Sequence, residues 1–304
     1  MSQFLINPYR FAVGDKWYGE RGVFGGGIAV SREDTIDYIT IDTTGNATDF
    51  GDLTQDVEWI SNTCPSNNTR VVWGGGNAPT ATDVMEYVTV GSTGNASDFG
   101  DLTVAVYACS GTSNGTRGVF AGGGDPISNV ISYITIDTTG NATDFGDLTS
   151  GNGQIGGSVS NGTRGIWAGG YDGSDTNVIQ YITIDTTGNA SDFGDLTQSK
   201  RACSAAFNDT RGVRFAGQSP RTDVIDYYTM GTTGNATDFG DLSNDFASGA
   251  GCTNNSRGIS AGGYDGTRLN EIDYITIDTT GNATDFGDLT QARIFPVSFE
   301  SSTR

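Results

Sequence analysis

Histidine is absent from the 304 residues of this chain. That removes Ser/His and Cys/His nucleophile pairs, imidazole general bases and the commonest side-chain ligand of transition metals. Proline is scarce at 6 residues, and the 4 cysteines, Cys64, Cys109, Cys203 and Cys252, stand far apart with no CxxC pair. They read as buried free thiols in preference to a disulfide framework or a metal knuckle. No stretch carries helical periodicity, so helix should be close to absent. No segment has the apolar length needed to span a bilayer, and the N-terminus "MSQFLINPYRFAVGDKW" lacks the basic-then-apolar order of a signal peptide. The expectation is a product made in the cytoplasm, without membrane insertion. Basic residues are few, 16 against 36 acidic, and the net charge of -20 repels a phosphate backbone. Nucleic acid is therefore excluded as a partner.

What the chain has in abundance is glycine, 46 residues, with Thr, Asn and Asp crowding the spaces between short runs rich in Val, Ile, Tyr and Phe. This is the composition of an all-β protein. The string "TIDTTGNATDFGDLT" at Thr40–Thr54 returns, nearly unchanged, five more times. The Gly of its TGNA falls at Gly45, Gly94, Gly140, Gly188, Gly234 and Gly281, a period of 46 to 49 residues. A recurring arginine keeps the same period at Arg21, Arg70, Arg117, Arg164, Arg211 and Arg257.

Cut at its turn signals, the fourth unit yields four strands, "GQIGGSVS", "RGIWAGG", "NVIQYITID" and "ASDFGDLT". A four-stranded sheet of under 50 residues cannot cover both its faces alone, so the units must stack. Radial stacking of six of them is a six-bladed β-propeller of four-stranded antiparallel blades. After the sixth "DFGDLT" comes "QARIFPVSFESSTR", which is in phase with the innermost strand of a unit, and Arg304 is in phase with Arg21. The C-terminal strand should therefore pair in the first blade and close the ring, giving an N-terminal docking segment at 1–20 and a propeller at 21–304.

Apolar strands ending in Gly-Gly ahead of a loop and a Tyr-bearing strand, as in "VFAGGG" at Val119, "IWAGGY" at Ile166 and "ISAGGY" at Ile259, resemble the kelch type of propeller; Gln218 in "RFAGQ" departs from the pattern. The start "INPYRF" and units of the form "TRG(V/I)(F/W)AGG … YITIDTTGNATDFGDLT" look like repeat proteins encoded by tailed bacteriophages, marine ones especially. That resemblance implies a virion component such as a tail fibre, a receptor-binding protein or a capsid decoration, and hence a localisation in the virion.

Within the string, Gly and Asn of TTGN tolerate positive φ and read as the tight turn between third and fourth strands. Period-2 alternation in "ATDFGDLT" sends Phe50 and its counterparts to one face and Leu53 and its counterparts to the other. The acids Asp42, Asp49 and Asp52 read as a solvated outer ring, with calcium binding as the alternative; Gly91 and Gly231 replace Asp42 in two copies. The recurring arginine is expected to tie its turn to an acidic group of the neighbouring blade. No cofactor and no metal site are assigned.

The turns of one face are nearly uniform, whereas the second-to-third strand loops and the blade connections differ and share the opposite face. Recognition is expected there, with Arg32, Trp59, Tyr171, Asp172, Arg221, Tyr264, Asp265 and Arg268 as candidates. The first twenty residues are too apolar for a solvated tail; Phe4, Ile6, Tyr9, Phe11 and Trp17 are candidates for attachment to a partner or for packing on the propeller itself. The leading functional expectation is a non-enzymatic virion structural or adhesion protein. Its partners would be other virion proteins through the N-terminal segment, further copies of itself within a particle, and a host surface receptor or glycan. A carbohydrate-binding lectin with repeated pockets is the alternative, and a glycan-hydrolysing enzyme a weaker one, since a catalytic carboxylate pair should be unique and central.

Overall fold

The computed structural model describes residues 21–301 apart from 62, 68, 125, 219, 295 and 296. Phe4, Ile6, Tyr9, Phe11, Trp17 and Arg304, named above, lie outside the described residues. The rest is all-β: six antiparallel blades set in a ring, a six-bladed β-propeller, and no described residue is helical. Blade four shows the plan, running from the hub outward through Ser158–Ser160, Arg164–Tyr171, Asp175–Thr183 and Ser191–Asp195. Blade two has three regular strands, and its hub position is held by the segment around Thr63 to Ser66, which bridges Ser66 to Val71.

The ring closes as the repeat phase predicts. Val297–Ser301, the last strand, pairs antiparallel with Arg21–Gly25 in register Arg21 to Ser301 through Gly25 to Val297. It thereby becomes the innermost strand of blade one. A seam between the two ends of the chain removes what would otherwise be two open sheet edges.

The outer strand departs from simple alternation. In the first blade Asp37 pairs with Asp49 but Ile36 with Gly51, so Phe50 is an extra, bulged residue, and the same shift recurs in the other blades. A bulge reverses the parity beyond it. Phe50 and Leu53 consequently share one face and one cluster with Val71, Trp73, Val88 and Val90 of the next blade, instead of facing opposite ways. The other face of blade one is covered by Phe24, Ile39 and Ile41 against blade six. Six such clusters of buried Ile, Val, Phe, Leu and Trp lie between blades, so the core is distributed around the ring.

Each blade adds an aromatic stack to this seam. Tyr38 meets Phe50 edge-on with centroids 6.0 Å apart, and the five counterpart pairs have nearly the same geometry. The recurring arginine sits over that tyrosine, 4.6 to 4.8 Å from the ring centre. A polar seam runs parallel to the apolar one. A third-strand residue, Asp37, Glu86, Ser132, Gln180, Asp226 or Asp273, bonds the Thr or Ser that follows DFGDL in the preceding blade. Two of the carboxylates have a buried cation as well: Lys200 Nζ lies 2.7 Å from Asp226, and Arg293 Nη2 2.6 Å from Asp37. Burial pushes the carboxyls of Asp37 and Glu86 upward, against the pull of Arg293 on the first and the Thr54 backbone N–H on the second.

At the hub the innermost strands of blades three to six, SGTS, SVS, SAAF and AGCT, are rich in Gly, Ser and Ala and lie against one another. A Cβ on Gly251 would lie 2.1 Å from the Ala205 carbonyl oxygen, and one on Gly111 2.4 Å from Pro65. Thr63 Oγ1 reaches the hydroxyls of Ser110 at 3.0 Å and Ser158 at 2.8 Å, joining blades two, three and four.

Candidate recognition face

The two rims of the ring differ in what holds them. On the uniform rim the repeated string is an interblade latch. Gly94 N–H and Ala96 N–H of one blade donate to the carbonyls of Phe50 and Asp52 of the blade before, both at 2.8 Å, and Asp52 N–H donates to the Asn95 side-chain oxygen at 3.2 Å. The bonds to Asp and Asn recur at every junction, through Asn141, Asn189, Asn235, Asn282 and, at the closure, Asn46. The hydrogen-bonded turn sits earlier than the TTGN reading placed it, on Thr40 to Thr43, where Thr43 N–H donates to the Thr40 carbonyl at 3.1 Å. TGNA itself is laid against the neighbouring blade. The bulge glycine makes this approach geometrically possible: Gly194 has φ +150°, and a Cβ there would stand 2.5 Å from the Gly234 carbonyl oxygen.

The arginine clip crosses to the next blade as expected but finds a different partner. Arg117 Nη1 donates to the Ile184 carbonyl at 2.9 Å, and its counterparts likewise reach backbone oxygen. The acid is taken by the turn asparagine: Asn67, Asn114, Asn208 and Asn254 donate to Asp137, Asp185, Asp278 and Asp42 at 2.6 to 2.8 Å. At the fourth blade Asn161 faces the unit whose acid is replaced by Gly231. Asp42 and its counterparts Asp137, Asp185 and Asp278 thus hold neighbouring turns, and among the described residues no three His, Cys, Asp or Glu side chains converge as a metal cluster.

The opposite rim carries the eight candidates in three groups. Arg32 forks onto Glu58 Oε1, with Nη2 at 2.9 Å and Nε at 3.1 Å, and Asn77 Nδ2 donates to the same oxygen at 3.0 Å. Next to this knot lies Trp59, whose ring meets Tyr107 edge-on at 5.4 Å and 77°. An open groove of about 540 Å³ is lined by Trp59, Tyr107, Asn77, Pro79, Thr80 and Ala81. A shallower hollow holding Arg32, Gln55 and Asp56 shares Pro79 with it. Glu58, Asn77 and Tyr107 escaped the sequence reading. The signal for Tyr107 was present in the connection "TVAVY", but its place beside Trp59 depends on neighbouring connections meeting around the hub.

The second group is Tyr171 and Asp172 in blade four. Arg201 lies over the Tyr171 ring at 4.7 Å and pairs with Asp175 at 3.3 Å. Asp172 Oδ1 accepts from the N–H and hydroxyl of Ser174, so its carboxylate serves its own turn. The third group is Arg221, Tyr264, Asp265 and Arg268 on blades five and six. Arg221 lies 5.7 Å over Tyr264, which is 43 % exposed. Asp265 accepts from the Thr267 N–H at 2.8 Å and its hydroxyl at 2.9 Å, and these bonds hold its carboxyl below the ordinary range. Arg268 is exposed in the hairpin opposite Tyr264. Of the eight candidates only Arg32 and Trp59 border the paired hollows, and only their group joins an aromatic corner to a cluster of hydrogen-bonding groups.

No helix among the described residues is long and apolar enough to cross a membrane. Comparison of the chain with protein families and with curated proteins returns no match.

Proposed function

We propose that this chain is a non-enzymatic structural and adhesion component of a virion, a kelch-like propeller of the kind tailed bacteriophages encode, whose varied rim meets a host surface receptor or glycan. Residues 1–20 attach it to other virion proteins, and several copies are carried per particle. The observation behind this reading is the division of chemistry between the rims. The repeated carboxylates, amides and arginines join one blade to the next, whereas aromatic and charged groups without sixfold counterparts gather on the opposite rim. A rigid ring presenting single-copy loops suits recognition. The hub bonds of blades two to four run hydroxyl to hydroxyl, from Thr63 to Ser110 and Ser158, and are not the central carboxylate pair that the enzymatic alternative calls for.

The test is location. Gold-labelled antibody against the propeller should decorate intact phage particles at a fixed structural position, and purified chain should bind the host cell surface. Free protein absent from every particle would overturn the reading, as would hydrolysis of a host polysaccharide abolished by one Asp substitution.

A further inference from the structure

Among the described residues the groove at blades one to three has no counterpart at the other junctions. Just ahead of five innermost segments the chain passes through a described left-handed residue: Trp59 at φ +54°, Ala108 at +51°, Gln154 at +49°, Ala202 at +52° and Ser248 at +64°. These residues sit side by side around the hub mouth, since Ala108 N–H donates to the Trp59 carbonyl, Ala202 to Gln154 and Ser248 to Ala202. A bulky side chain is disfavoured in this conformation, and four of the five described positions carry small or flexible residues. The exception is a tryptophan. Immediately before the left-handed residue stand Glu58, Tyr107, Gly153, Arg201 and Ala247, each bridged to the next blade, with Ile294 bridged to Ile28 at the closure. Among the described residues only the step from blade one to blade three therefore places a Trp and a Tyr together, edge to face, on the wall of one groove.

From this corner we infer that the groove is a binding site for a neutral saccharide, a deepening that rests on the recognition role proposed for this rim. The C–H-bearing face of a pyranose ring is apolar and weakly electropositive, and it packs on the negative face of an indole or phenol. Its hydroxyls need donors and acceptors at the edge of the same surface, which Asn77, Thr80 and the Glu58 knot supply. Glu58 Oε1 takes the bonds from both Arg32 and Asn77, so the polar edge is braced before any ligand arrives. The volume of about 540 Å³ lies within the usual range of small-ligand sites, roughly 300 to 1,000 Å³. Charge selects among sugars. The chain carries -20 overall, Asp56 borders the second hollow, and the charge of its one cation, Arg32, is offset by the ion pair with Glu58, so uronic-acid, sialylated and phosphorylated glycans are repelled. Among the described residues this aromatic corner occurs once, in contrast to the repeated interblade pockets of a lectin built on every blade.

The experiment uses the full chain on an array of immobilised neutral hexose and N-acetylhexosamine oligosaccharides beside sialylated and uronic-acid ones. The best neutral binder is then titrated in free form by saturation-transfer NMR. The expected result is binding confined to neutral glycans and weakened at least tenfold in Trp59→Asn, asparagine being tolerated in the left-handed conformation. Tyr107→Ala, which leaves Trp59 in place, should weaken it as well, while Asp144→Asn on the outer strand of blade three leaves it unchanged. Binding restricted to acidic glycans, no binding to any neutral glycan, or neutral binding unaltered in both groove variants would overturn the assignment. The two readings fail separately. Cell-surface binding without glycan binding removes the saccharide and keeps the adhesion role; glycan binding by a protein absent from particles does the reverse.

Discussion

The uniform rim and the varied rim are made by the same six units, and both repeat backbone bonds, yet only the first repeats its side-chain bonds. At the uniform rim backbone groups of TGNA and DFGD meet across every junction, and the side chains that assist, Asn95 and its counterparts, are the same around the ring. At the varied rim the connection residues Glu58, Tyr107, Gly153, Arg201 and Ala247 keep a backbone bridge but share no side-chain chemistry. Repetition therefore marks where the backbone needs a particular residue, and variation marks where it does not. Substitutions should divide accordingly: those on the uniform rim should change stability and leave recognition alone, and those on the varied rim the reverse.

The largest effect is expected from Gly194→Ala. The residue holds φ +150°, and its new Cβ would lie 2.5 Å from the Gly234 carbonyl oxygen and 2.6 Å from its carbon, both unyielding backbone atoms. A loss of about 3 kcal/mol in denaturant unfolding is expected, in the range of strained-glycine and overpacking substitutions. Gly287→Ala should cost less. At that closing junction the same approach is 3.0 Å, and the Asp288 N–H to Asn46 bond stretches to 3.3 Å. Equal losses at the two sites would show that the closure is as tight as the other junctions.

Arg164→Met comes next. It removes a bond to the Met230 carbonyl at 3.1 Å and a cation 4.6 Å from the Tyr181 ring, at the junction where Gly231 offers the turn asparagine no carboxylate. About 1 to 2 kcal/mol should be lost. Arg117→Met should lose less, because the Asn114 to Asp185 bond of 2.6 Å stays behind to hold that turn. Thermal melts of the two variants side by side would show whether clip and asparagine act together.

The polar seam between the rims is intermediate, keeping its bond while changing its residue. Glu86 accepts from the Thr54 N–H at 2.8 Å, as Gln180 does from Thr149 at 2.9 Å. Burial lifts the Glu86 carboxyl above 4.5. A carboxyl whose folded pKa exceeds its unfolded one favours the folded state below about pH 4.5, and that contribution is lost as pH rises from there through the folded value. Above both values the ionised group costs stability. Glu86→Gln keeps the acceptor and removes the charge, so its melting temperature should exceed that of the parent at pH 7 and converge with it near pH 4. A variant less stable at pH 7 would mean that the carboxylate, and not the carbonyl oxygen, is what Thr54 requires.

Strand number, blade number and closure were legible because they follow from the period of Gly45 and Arg21 and from the phase of the C-terminal strand, all visible without tertiary knowledge. The parity of Phe50 and Leu53 was not, because alternation assumes an unbroken ladder; Gly51 inside the strand was the overlooked mark of a bulge. TTGN has the composition of a turn, but what fixes it is the neighbouring blade, which local chemistry cannot reveal. The arginine clip was legible in direction and not in partner, since a backbone carbonyl leaves no trace in composition. Arg32 and Trp59 are legible by type alone, as a cationic and an aromatic anchor. Their partners Glu58, Asn77 and Tyr107 become visible only when successive connections are brought side by side.

The smallest effect on stability should come from the varied rim itself. Tyr264 is 43 % exposed, and its named contact is Arg221 at 5.7 Å, near the outer limit for a cation over a ring. Its backbone bridge to Ala247 and its hairpin pairing with Arg268 are independent of the side chain. Tyr264→Ala should therefore shift unfolding by no more than about 0.5 kcal/mol. Host-cell binding by the variant measures what the ring does there. A fall with an unchanged melt would extend the recognition surface from the Trp59 groove across to blade six. Unchanged binding would leave Tyr264 outside the recognition surface, and a large loss of stability would break the division between the rims.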